Sequence, residues 1–119
     1  MYSPQLLDHF QNPRNPGEIP EPDATAQIEN PVCGDTLRFS LKVDSSRIID
    51  IRFRARGCVP SMACASALTE LVSGKSVAEA RNLKRDDVAA AVGGLPPAST
   101  HAAQLAIDAL SAALRQIRA

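Results

Sequence analysis

Apolar and polar positions divide the chain into three regimes. From Ser3 to Phe10 the spacing of Leu6, Leu7 and Phe10 gives a short apolar face, and Ser3 followed by Pro4 is a helix start. Asn12-Pro13-Arg14-Asn15-Pro16-Gly17 ends that helix, and the polar, proline-rich stretch to Asp23 reads as irregular. The period then changes to two. Ala24 to Glu29 is a short strand. Leu37 to Val43 alternates, with Leu37, Phe39, Leu41 and Val43 on one face and Arg38, Ser40 and Lys42 on the other. Arg47 to Ala55 alternates too, which assigns Ile49, Ile51 and Phe53 to one side and Asp50, Arg52 and Arg54 to the other, with Asp44-Ser45-Ser46 as the turn.

Past Val59 the pattern is helical. Pro60 suits a first turn, and a helix from Ser61 to Ser73 stops at Gly74. Short helices follow at Val77 to Asn82, capped by Ser76, and at Arg85 to Val92, before the break Gly93-Gly94-Leu95-Pro96-Pro97. The last helix, His101 to Ile117, lines up Ala102, Leu105, Ala106, Ala109, Leu110, Ala113, Leu114 and Ile117 on one stripe. A meander with one wet face needs a helical layer over the other. The expected fold is therefore α+β: a three-stranded antiparallel sheet covered on one face by helices, with a short N-terminal and a long C-terminal helix, in one domain spanning residues 1–119.

Composition adds three constraints. Aromatics are 3% of residues and Trp is absent, so the core must be built from Leu, Ile, Val and Ala. Thirteen basic residues balance thirteen acidic ones with no basic block, which argues against a nucleic-acid partner. No apolar run is long enough to span a bilayer, and no leader pattern opens the chain, so the expected setting is cytoplasmic and off the membrane. In a reducing compartment an odd set of three cysteines (Cys33, Cys58 and Cys64) points to buried, reactive or metal-bound thiols rather than disulfides.

Cys33-Gly34-Asp35 puts a thiol and a carboxylate two residues apart before a strand; it is either a turn or half of a metal site. Gly57-Cys58 lies where a strand gives way to a helix. The helix N-terminus and Arg56 would favour a thiolate there, against the alternative of a small residue at a tight turn. Cys64 shares an arc of its helix with Leu68, Leu71 and Val72, opposite Ser66, Glu70 and Ser73, and is read as core filler. His101 begins the last helix as either a solvated residue or a ligand; His9 is read as structural. No nucleophile–base–orienter set is visible, so an enzyme is not expected.

Together these features resemble the IscU/NifU N-terminal family of iron–sulfur cluster scaffolds. Tyr2-Ser3 with Asp8-His9-Phe10-Gln11-Asn12-Pro13-Arg14-Asn15 is similar to the family's opening. Cys33-Gly34-Asp35 and Gly57-Cys58 look like its first two ligand motifs, and Thr69-Glu70 and Gly74-Lys75-Ser76 follow in family order. Leu95-Pro96-Pro97 resembles the chaperone-recognition loop, and His101 the start of the third ligand motif. The lack of an insertion between the middle helices makes the chain look less like the SufU branch, which has zinc at its site.

The resemblance implies a scaffold that builds a [2Fe–2S] cluster from iron and from sulfur supplied by a cysteine desulfurase. An Hsp70-type chaperone would help pass the cluster to acceptor proteins. It carries ligand roles onto Cys33, Asp35, Cys58 and His101, and persulfide acceptance onto Cys33 or Cys58. Two alternatives are a sulfur-relay partner that stimulates a desulfurase, and a zinc-binding interaction module that no longer assembles clusters. Two departures stand out: Ala102 occupies the place of the family's third cysteine, and Ala98-Ser99 replaces the usual Val-Lys after the proline pair.

Overall fold

The computed structural model describes residues 2–30 and 34–117. Cys33 therefore lies outside the described residues. The sheet is β1 (Ala24–Asn30), β2 (Asp35–Asp44) and β3 (Arg47–Arg56), antiparallel in that order. Leu37, Phe39, Leu41, Ile51 and Phe53 face inward and are buried. The β2–β3 hairpin closes through Ser45 and Ser46, both at positive φ (51° and 63°), the two-residue turn whose twist matches paired strands.

The hairpin also corrects the alternation expected in β3. Val43 pairs with Ile48 but Lys42 with Asp50, so Ile49 is an extra residue in a β-bulge. One inserted residue reverses the facing on its N-terminal side. Ile48 is fully buried, whereas Ile49, expected inward, is 57% exposed. Ser40, expected on the wet face, is buried as well; its cross-strand partners are Thr25 and Arg52, and a short side chain between longer neighbours loses its access to water.

The helices are α1 (Pro4–Gln11), α2 (Val59–Val72), α3 (Val77–Arg81), α4 (Arg85–Ala91) and α5 (Thr100–Leu114), the last preceded by a 3₁₀ turn at Pro97–Ser99. Each boundary has a chemical cause. The Ser3 hydroxyl caps α1 by accepting from Leu6 N–H and itself donates to the Val92 carbonyl, tying the N-terminal helix to the end of α4. Ser76 and Glu79 form a reciprocal capping box on α3. Gly74, at φ +82°, takes the chain away from α2.

Helix α5 lies on β1 and β2, α2 lies on β3, and α1 packs against α2 from the far side. Covered on both sides, α2 has no fully wet arc. Ser66, expected to face water, is fully buried: it accepts from the Arg14 backbone N–H at 2.9 Å and bonds His9 Nδ1 at 2.8 Å. His9 is structural, as expected, and it also reaches Glu70 at 3.5 Å. Residues 13–17, irregular as read, run beside β3 through Gly17 N–H to Phe53 O and Phe53 N–H to Asn15 O, covering what would be a bare sheet edge.

Candidate metal centre

Three elements end at one corner of the sheet. Asp35 is the first residue of β2 and points to the inner, helix-covered face, where it is 1% exposed. Cys58 follows the last turn out of β3 and is the N-cap of α2. His101 is the second residue of α5, just past the proline pair. Among the described residues these three form the one group of metal-capable side chains in which a donor atom from each lies within 4.8 Å of the others. Asp35 Oδ2 is 3.3 Å from Cys58 Sγ and 3.7 Å from His101 Nε2.

The sequence at the corner explains the geometry. Gly57 has φ +147°, and a Cβ there would collide with Asp35 Oδ1 and come within 2.6 Å of Cγ and 3.0 Å of Cα. Only glycine lets the chain turn from β3 into α2 with the carboxylate this close. The freed space lets Cys58 N–H donate to Asp35 Oδ1 at 3.0 Å. The other carboxylate oxygen accepts from Ser61 Oγ at 2.8 Å, and that hydroxyl is also 3.1 Å from Cys58 Sγ.

Burial would push the Asp35 carboxyl toward its neutral form. The hydrogen bonds from Ser61 and from the Cys58 side chain and backbone, helped by His101, outweigh it and hold the group below the usual carboxylate range. Asp35 is thus an anion held in place inside the protein, the state in which a carboxylate ligates a metal. Thiolate, imidazole and carboxylate together suit iron or zinc.

The sequence-derived ligands Asp35, Cys58 and His101 are brought together. Cys64 is not among them. It is fully buried, and burial, with a further push from Cys58, raises its thiol to about 12, so it is core filler. Leu95 and Pro96 are half-buried and Pro97 is exposed, in the loop leading directly into His101. Ala102 is fully buried on the core stripe of α5. Ser61 was missed by sequence reasoning. Its signal is the three-residue step from Cys58, which sets the third helical residue beside the N-cap side chain.

The model of the NifU-like N-terminal domain matches residues 1–119. The chain belongs to that family. A relative from Archaeoglobus fulgidus, named iron-sulfur cluster assembly scaffold protein IscU 1, is 46% identical over 114 residues, covering 96% of this chain and 74% of its own. The scaffold protein IscU of Haemophilus influenzae is 38% identical over 122 residues, covering 99% and 96%. The crystal structure of a NifU-like N-terminal protein from Brucella abortus superposes with a TM-score of 0.78 over 97% of this chain and 92% of that one; at 23% identity it supports the fold alone. Family membership and fold agree with the resemblance drawn from the motifs.

Proposed function

We propose that this family member is a scaffold on which iron and sulfide are assembled into a [2Fe–2S] cluster and then handed on, with Asp35, Cys58, His101 and Cys33 as ligands. The observation that carries it is the convergence of Asp35, Cys58 and His101 from three separate elements at one corner. The names of its scaffold relatives point the same way. A carboxylate and an imidazole hold iron less firmly than thiolates do, which suits a cargo that must leave. Nothing in this reading requires the protein to be a catalyst.

Sulfur would come from a cysteine desulfurase. The Cys58 or Cys33 thiolate attacks the outer sulfur of the desulfurase persulfide, the desulfurase cysteine leaves as thiolate, and two electrons, from a pair of thiols that becomes a disulfide or from two one-electron ferredoxin-type donors, take the sulfur to sulfide. An Hsp70-type chaperone gripping Leu95, Pro96 and Pro97 would pull on the segment that carries His101, loosening the cluster toward acceptor proteins.

One measurement favours a single ion as the first cargo. Ligand atoms around a tetrahedral ion with bonds of about 2.0–2.3 Å stand roughly 3.3–3.8 Å apart. The two separations at Asp35 Oδ2, 3.3 and 3.7 Å, match that spacing. Iron or zinc would therefore enter the corner as it stands, and growth to two irons requires the ligands to spread. Anaerobic reconstitution with ferric iron and sulfide, followed by absorption and Mössbauer spectroscopy, tests the reading. A two-iron signal is expected, lost in Cys58→Ser; a signal that survived both Cys58→Ser and Cys33→Ser would sink it.

A further inference from the structure

Ser61 Oγ, Asp35 Oδ2 and Cys58 Sγ form a triangle with sides of 2.8, 3.1 and 3.3 Å. Ser61 is 3% exposed, so water does not readily substitute for its hydroxyl. A hydroxyl has one proton to give. In the structure as it stands, Ser61 donates to Asp35, and the Cys58 thiol also points its proton at the same carboxylate oxygen. A metal-bound sulfur has no proton left and can only accept. Two anionic ligand atoms then stand side by side, and the Ser61 hydroxyl is within hydrogen-bond distance of both.

We propose that Ser61 is a positioning residue for the metal centre: it clamps Asp35 to Cys58 before metal enters, and turns its O–H onto the Cys58 sulfur once metal holds the carboxylate. The inference rests on the proposed site and deepens it. Its physical consequence is specific, because a hydrogen bond to a ligating sulfur withdraws electron density from the metal–sulfur bond and helps set the reduction potential of a cluster. A hydroxyl that merely filled space would leave that electron density unchanged.

The test is a titration of the full chain with Co²⁺ alone, comparing wild type, Ser61→Ala and Ser61→Thr by the thiolate-to-cobalt charge-transfer band. Ser61→Ala keeps the helix and is expected to bind Co²⁺ about tenfold more weakly or worse. Its band should move to lower energy, because the sulfur is more electron-rich. Ser61→Thr, which keeps the hydroxyl, should return both toward wild type. On the reconstituted cluster, Ser61→Ala should shift the one-electron equilibrium about tenfold toward the oxidised form, a potential about 59 mV more negative. A band present in wild type and unmoved in Ser61→Ala overturns the role of Ser61 alone, as does Thr behaving like Ala. No thiolate band in wild type overturns the site itself, and the role of Ser61 with it.

Discussion

Replacing Gly57 by Ala tests the corner most directly. The added methyl meets Asp35 at Oδ1, Cγ and Cα together, so rotating the carboxylate does not relieve it fully; the backbone of β2 must also give. Two effects add. A non-glycine residue held at φ +147° costs about 1–3 kcal/mol. Swinging the carboxylate away forfeits its bonds from Cys58 N–H and Ser61 Oγ, each worth about 1.5–3 kcal/mol when the acceptor is charged. The expected loss is about 4–9 kcal/mol, a large share of the roughly 5–15 kcal/mol that stabilises a domain of this size.

Gly17→Ala is the control. Its φ is +119° and nothing lies within 4 Å of the added Cβ, so only backbone strain remains. Urea unfolding of both variants should separate them by at least about 2 kcal/mol, with metal binding lost only in Gly57→Ala. In an Asp35→Ala background the two Asp35 side-chain collisions disappear, and Gly57→Ala should then cost little more than the control, a strong coupling between positions 35 and 57. Equal costs for the two glycine variants in the wild-type background would refute the reasoning, because the carboxylate would then not be what excludes a side chain.

The bulge in β3 predicts that Ile48→Ala costs about 3 kcal/mol on chemical unfolding while Ile49→Ala stays within about 0.5, the reverse of strict alternation. His9 is held below its ordinary pKa by burial first and by the charge of Arg14 second, against the opposing pull of Glu70 and Asp8. Its contribution is therefore full above the ordinary histidine value and falls as pH drops through about 6.5, where the unfolded chain takes up the proton first. His9→Gln should flatten that part of the stability profile, and a profile parallel to wild type between pH 5 and 8 would count against it. Cys64, buried and hard to ionise, should resist alkylation in the native protein, and Cys64→Ala should leave Co²⁺ binding unchanged while costing on the order of 1 kcal/mol.

Most of the architecture was legible because each element carries its own period. Leu37, Phe39 and Leu41 mark β2 by alternation, and the small-residue stripe from Ala102 to Leu114 marks α5. What escaped are places where the period is broken by one residue or overridden by a neighbour. Ile48 and Ile49 are interchangeable in composition, and the register that separates them depends on pairing with Val43, a cross-strand property that no local signal carries. Ser66 looks like a surface position until α1 closes over α2 and supplies His9 and the Arg14 N–H as partners. At the site, cysteine, aspartate and histidine announce themselves by chemistry. Ser61 does not, since a serine early in a helix is unremarkable until its distances to Asp35 and Cys58 are known.

The three candidate ligands are anchored unequally, and on the proposed scaffold reading that inequality bears on how a cluster could form where one ion fits. Asp35 is gripped by a backbone N–H, a hydroxyl and a thiol in the interior. Cys58 is fixed by its place at the N-cap of α2, behind a glycine that no other residue replaces. His101 has a side chain 36% exposed and follows the loop of Gly93, Gly94, Leu95, Pro96 and Pro97, so it is the ligand that can move at least cost. Ala102 beside it is buried and offers no donor atom, so a shift at the start of α5 gives up no second ligand on that helix. Spreading from one-ion to two-iron spacing is then expected to come from His101 retreating while Asp35 and Cys58 stay. On the proposed scaffold reading, sulfur acceptance would fall to the thiols at positions 33 and 58, since Ala102 at the start of α5 has no thiol.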